Sequence, residues 1–217
     1  MLLFGATGMV GQGVLRECLL DPDVSEVLSV GRSKTGQQHP KLKEVVLKDV
    51  ADLSSIESQI DDIDACFFCL GVSSVGMSEA DYTRLTHDLT VSVATTVARR
   101  TSHTAPRTTF IYVSGAGTDG RAMWARVKRK TEIALTQLPF KQAIAFRPAY
   151  IQPMHGIRSK TAWYNAVYAV MGWMYPLLRL ATKYVTTTEQ MGKAMIAVAK
   201  HGAAKPILEN ADINAAA

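Results

Sequence analysis

Cysteine is scarce in this sequence. Cys18, Cys66 and Cys69 are an odd number without the spacing of a disulfide framework. That excludes a small stapled secreted domain and leads to the expectation of a reducing, cytoplasmic setting. Metal-ligand spacing is missing as well. His39, His87, His103, His155 and His201 are scattered, with no HExxH or Cys/His pattern, so no metal centre is expected. Met1-Leu2-Leu3-Phe4 runs straight into glycines with no basic start and no cleavage site, so no signal peptide is read there. Neither repeats nor low-complexity tracts occur, apart from Ala215-Ala216-Ala217, which excludes a solenoid. The apolar share of 47% and charged share of 20% exclude a disordered chain. At 217 residues the chain is a single domain with room for a core. It is too short for a full two-domain dehydrogenase, so any substrate site must come from insertions.

The charge excess is small, +5 with a pI of about 9.1. It suits an anionic small ligand and falls short of a nucleic-acid footprint. Arg121, Arg126, Lys128, Arg129 and Lys130 form one basic run. No aromatic platform accompanies it, so it reads as a solvated helix face with Lys128 turned inward and no nucleic-acid partner. Cys66-Phe67-Phe68-Cys69 has redox spacing, but residues three apart on a strand point to opposite faces, so core packing is the reading.

What is present is alternation. Leu2–Phe4, Val27–Val30, Val45–Leu47, Ala65–Leu70, Phe110–Val113, Ala143–Phe146 and Pro206–Leu208 read as strands. Between them run helical stripes: Val10, Val14, Leu15, Cys18 and Leu19; Tyr82, Leu85, Leu89, Val93 and Val97; Trp124, Val127, Thr131, Leu135 and Leu138. Thr186 with Glu189 reads as a capping box opening a helix through Met191, Met195 and Val198. Strands alternating with helices predict an α/β fold, a doubly wound parallel sheet with helices on both faces. Ligands of such sheets bind beyond the carboxyl ends of the strands.

The residues at those ends carry chemistry. Gly5, Gly8 and Gly11 make a GxxGxxG turn between the first strand and first helix. The first two let backbone approach a pyrophosphate, the third lets helix pack on strand, and the amides around Thr7, Met9 and Val10 face the anion. The second strand ends in Gly31-Arg32-Ser33-Lys34, with bases where an NAD site places an acid. Arg32, with Ser33 beside it, predicts a 2′-phosphate and hence NADP(H). Asp49 and Val50 after the third strand are placed for adenine, and Leu70 and Gly71 after the fourth for the adenosine ribose.

From Gly5-Ala6-Thr7-Gly8 through Val113-Ser114-Gly115-Ala116-Gly117 to Arg147-Pro148-Ala149-Tyr150-Ile151, the chain resembles the short-chain dehydrogenase/reductases. The likeness is to their atypical branch, among bacterial proteins related to Tat-interacting-protein-like reductases, often labelled epimerase/dehydratase. It implies a Rossmann-like domain over 1–217 with a small C-terminal lobe, 150–186, over the substrate site. It also implies a Ser, Tyr, Lys catalytic set. Ser114 matches the serine that holds the substrate oxygen, and Lys128 the lysine that binds the nicotinamide ribose. The tyrosine position holds Trp124, a donor with no acid proton near neutral pH. Pro148 and Ile151 match the turn beside the carboxamide.

Three readings stay open. The protein binds NADP(H) without turnover, as a regulator. It draws its proton from Tyr82, Tyr150, His87 or water. Or its chemistry uses Trp124 only to stack on a ring. The expected partners are a nicotinamide dinucleotide and a small, partly apolar carbonyl or alcohol, an oxidoreductase reading. A nucleotide-sugar epimerase is disfavoured by the short substrate region. The aromatic, apolar segment 162–181 reads as the lobe, lining a pocket or a homodimer contact, with a membrane surface as the alternative.

Overall fold

The computed structural model describes residues 1–101, 106–157 and 183–217. In chain order these form β1 (Leu2–Phe4), α1 (Met9–Leu20), β2 (Val27–Gly31), β3 (Leu42–Val46), a 3₁₀ segment (Ser54–Gln59) and β4 (Ala65–Phe68). There follow α2 (Glu79–Thr83), a π turn (Arg84–Asp88), α3 (Leu89–Thr101), β5 (Thr109–Val113), α4 (Met123–Thr136), β6 (Gln142–Arg147) and β7 (Tyr150–Gln152). The chain closes with β8 (Val185–Thr187), α5 (Thr188–His201), β9 (Ile207–Glu209) and α6 (Asn210–Ala216).

Seven strands form one parallel sheet in the order β3-β2-β1-β4-β5-β6-β9. The order reverses at β1, so the connections leaving the paired strands β1 and β4 diverge and open the crevice where such sheets take nucleotides. β7 and β8 pair separately, Ile151 opposite Thr186.

Strand alternation sorts the core into two layers. Leu2, Phe4, Cys66, Phe68, Phe110 and Tyr112 pack with α3 and α4. Leu3, Phe67, Ile111 and Phe146 pack with α1, α5 and α6. On the first face a run of rings crosses the sheet: Phe4–Phe68 at 5.5 Å, Phe68–Phe110 at 6.0 Å and Phe110–Phe140 at 5.0 Å. Pairs of this kind add about 0.5–1.5 kcal/mol each beyond area burial. Cys66 belongs to one layer and Cys69 packs against the other, as the period of two requires.

α1 and α5 cross closely because each carries a glycine at the contact. A Cβ on Gly13 would lie 2.6 Å from the Thr188 side chain, and one on Gly192 2.6 Å from that of Glu17.

Two details differ from the sequence reading. The cap of α5 is Thr187, whose side chain accepts from the Gln190 amide. β8 pairing holds Thr186 in the strand, so the helix opens one residue later, and Glu189 pairs with Lys193 and His155 instead. The Tyr82 stripe is broken by the π turn. Its extra residue rotates the helix face, so Leu85 turns outward while Thr86 and Thr90 are buried. Segment 162–181 lies outside the described residues. Among the described ones, no helix is long and apolar enough to cross a membrane.

Candidate functional site

The glycine turn is held by close backbone contact. Gly5 has φ +85°, a conformation that favours glycine. A Cβ there would stand 2.7 Å from the Cys69 carbonyl carbon, and a Cβ on Gly11 only 2.0 Å from the Gly5 oxygen. Gly8 donates to that same oxygen at 2.9 Å and is the N-cap of α1. No side chain caps the helix and no acid stands in its first turn. The positive end of α1, at Met9 and Val10, is therefore left to an anion from outside the helix.

Two adjoining cavities extend from this turn. One, of about 320 Å³, is lined by Gly5, Thr7, Val30, Arg32, Ser33, Val50 and Leu70 among others. The second, of about 550 Å³, shares Arg32, Val50 and Leu70 and continues past Lys48, Asp49 and Gly71 to Leu85 and Leu89. The structure thus brings Arg32, Ser33, Asp49, Val50, Leu70 and Gly71, drawn from three strand ends, to one place. The Asp49 carboxylate also accepts from the Ala51 amide at 2.9 Å. Lys34 is exposed and lines neither cavity. Lys48, overlooked in the sequence, lines the larger one.

A second group gathers beyond β5. Lys128, half-buried on α4, donates from Nζ to the Ser114 carbonyl oxygen at 2.5 Å. Loss of solvent pushes its pKa down to about 8, against the pull of Glu132 one turn on. The Ser114 hydroxyl is buried and meets that of Thr118 at 3.2 Å. The Trp124 ring lies over Gly117, 3.4 Å from where a Cβ would stand. Pro148 joins through its carbonyl, which accepts from Ala116 at 2.9 Å. Ile151 sits in the small sheet and packs against the core. Neither Ser114, Lys128, Pro148 nor Ile151 lines the two glycine-loop cavities.

Of the candidate acids, Tyr82 is enclosed in the core, and burial pushes its phenol up. Tyr150 donates to Gln152 Oε1 at 2.9 Å, and burial raises its pKa too. His87 pairs with Asp88 at 2.8 Å.

Behind this group lies an ion cluster around a buried Arg147–Glu132 pair, which sequence reading missed. Arg147, at the end of β6, is 3% exposed. It meets Glu132 through two bonds at 2.7 and 3.0 Å, Asp119 at 2.7 Å and Glu209 at 3.1 Å. It ties the last strands to α4 and to the loop carrying Ser114. Only a basic residue beside a strand-end proline hinted at it, and its partners come from three distant segments. Among the described residues, no group of side chains could hold a metal ion.

Comparison with known proteins places this geometry. The model of the NAD dependent epimerase/dehydratase family matches residues 1–123. Protein FMP52, mitochondrial, from Chaetomium globosum is 27% identical over 158 residues, covering 69% of this chain and 65% of that protein. Protein fmp52-1, mitochondrial, from Aspergillus oryzae is 29% identical over 157 residues, covering 69% and 64%. The chain thus spans just under two thirds of the length of these relatives. Their names correct the expectation of a cytoplasmic setting, since they are mitochondrial proteins. Unpaired thiols report only a reducing environment, which the cytoplasm does not monopolise.

Among solved structures, the YIR035C short chain dehydrogenase/reductase from Saccharomyces cerevisiae superposes with TM-score 0.67 at 15% identity, covering 96% of this chain and 94% of that one. Carbonyl reductase Sniffer of D. melanogaster gives 0.65 at 12%, covering 97% and 96%. The Bordetella bronchiseptica enzyme WbmH in complex with NAD⁺ gives 0.65 at 15%, covering 92% and 72%. The likeness to these structures is one of fold, the Rossmann arrangement of the short-chain dehydrogenase/reductases.

Proposed function

This chain belongs to the NAD dependent epimerase/dehydratase family, and we propose that it is an NADP(H)-binding oxidoreductase of a small, partly apolar carbonyl or alcohol. The observation that carries the reading is the glycine turn opening onto a cavity that ends at Arg32, a guanidinium with no counter-ion among the described residues. The residues fit a dinucleotide. The uncapped α1 terminus and Cβ-free turn suit a pyrophosphate, and the apolar walls at Val50 and Leu70 suit a base. Arg32 with Ser33 would take a 2′-phosphate, and Asp49 the adenine amino group.

Bound, the nicotinamide would supply or accept a hydride. Lys128 would hold its ribose hydroxyls, and Ser114 would orient the substrate oxygen by turning its hydroxyl from Thr118. Pro148 and Ile151 would border the carboxamide. With Trp124 in the tyrosine's place, water or a noncanonical residue takes the proton-supplying part. The same indole favours a second reading, a cofactor-bound regulator without turnover.

A thermal-shift titration with NADPH, NADP⁺, NADH and NAD⁺ tests the proposal. Ligand at about 100 times its Kd stabilises a fold by about 2.7 kcal/mol. A shift with the phosphorylated pair, lost in Arg32→Ala, is expected. Equal shifts with both pairs, or no shift with any, would overturn it. A carbonyl screen with bound NADPH then separates turnover from regulation.

A further inference from the structure

The sequence offers two lysines as companions to Arg32, and the structure separates them. Lys34 follows Arg32 closely, yet it lines neither cavity. Lys48 is sixteen positions from Arg32 along the chain, but parallel pairing of β2 and β3 sets the two carboxyl ends side by side. β2 and β3 run in register with Gly31 opposite Val46, and the Leu47 amide donates to Gly31 oxygen at 2.9 Å. Both strands end there, and Arg32 and Lys48 follow within two residues of the last paired positions. Adjacent strands lie about 4.8 Å apart, so the cations of Arg32 and Lys48 rise from neighbouring carboxyl ends onto one cavity of about 550 Å³.

The charges around that cavity are not equally free. Arg84 is held by Asp81 at 3.0 Å. Asp88 is engaged by His87 at 2.8 Å. Asp49 turns one carboxylate oxygen to the Ala51 amide. Among the described residues, Arg32 and Lys48 alone of these five have neither ion pair nor hydrogen bond through the side chain. Two unanswered cations at one rim, beside apolar walls sized for a base, suit a phosphate monoester on a nucleoside. A dianion bridging them gains more than either cation offers alone.

We infer that Lys48 is the second arm of a phosphate clamp with Arg32 and sets the preference for a 2′-phosphorylated adenosine. This rests on the NADP(H) reading above. It assigns the discrimination to a residue just past β3 and removes Lys34 from it.

The test is calorimetric titration of the full chain with NADP⁺, NAD⁺, adenosine 2′,5′-bisphosphate and 5′-AMP. Lys48→Met should weaken NADP⁺ and the bisphosphate by about tenfold or more, the worth of one charge-assisted contact. NAD⁺ and 5′-AMP should change less than about twofold, and Lys34→Met should change none of the four. Lys48→Arg should restore the preference. Because Lys48 is exposed, its replacement leaves the core untouched. If the wild-type chain prefers NADP⁺ and Lys48→Met keeps that preference, the clamp is refuted while the cofactor reading stands. If Lys48→Met weakens NAD⁺ equally, Lys48 contributes only general attraction and the inference fails. If the wild-type chain binds none of the four, the cofactor reading fails and takes the clamp with it.

Discussion

Lys128→Met should make the fold more stable and the cofactor site worse. The Lys128 ammonium is held where solvent is scarce, and its pKa falls from the ordinary 10.5 to about 8. A drop of that size corresponds to about 3 kcal/mol against the charged form in the folded state. The sign follows from linkage. Below pH 8 the group is charged in both states, and the native state carries the whole penalty. As pH rises from 8 towards 10.5 the folded chain loses the proton first, and stability increases. Methionine fills similar space without a charge. It forfeits the bond to the Ser114 carbonyl, a loss of about 1–2 kcal/mol. Glu132 keeps its two bonds from Arg147. The variant should therefore gain about 1–2 kcal/mol at pH 7. By pH 10 the gain should vanish or reverse. Urea unfolding at the two pH values reads this directly, and NADP⁺ titration should show binding weakened by about tenfold. A variant less stable than the parent at pH 7, or a difference unchanged at pH 10, would refute the reasoning.

Two further outcomes follow from the same structure. Gly11→Ala drives a methyl to 2.0 Å from a backbone oxygen that cannot rotate away. It should cost about 3 kcal/mol and abolish dinucleotide binding, checked by thermal melting and titration. Arg147→Met leaves Glu132 buried without its partner and should cost about 3–5 kcal/mol in denaturant unfolding. Adding Glu132→Gln should recover part of it, and strict additivity of the two losses would show that the cluster is not coupled.

Much of the fold was legible in the order of residues. Continuous apolar runs such as Ala65–Leu70 announced strands buried on both faces, although β4 itself ends at Phe68, and the glycines of the first turn announced a backbone with no room for a Cβ. The opposite-face reading of Cys66 and Cys69 needed nothing beyond the two-residue period. Boundaries were less legible, because pairing decides them. The third strand opens at Leu42 where the apolar pattern suggested Val45, drawn back by its partner Val27. The π turn before α3 left no signal, since one extra residue in a helix changes neither composition nor spacing until the faces are compared with a packed neighbour.

The candidate site divides in the same way. Gly5, Arg32 and Ser114 stand where strands end, Gly8 and Gly11 open the helix that follows the first, and each could be found by counting along the chain. Their local requirements, a positive φ, a missing Cβ, a hydroxyl or a cation, are properties of a position and its immediate neighbours. Lys48 and Arg147 could not be found that way. Lys48 acquires its place because β3 pairs with β2, so that the residues past both strand ends line one cavity. Arg147 acquires its own by meeting Asp119, Glu132 and Glu209, which approach from 28, 15 and 62 positions away. The parallel sheet and the glycine turn were written in the order of residues, because periodicity and steric freedom act over a few positions. Only the tertiary structure decided which charges answer one another, because Coulomb attraction and desolvation depend on distance in space.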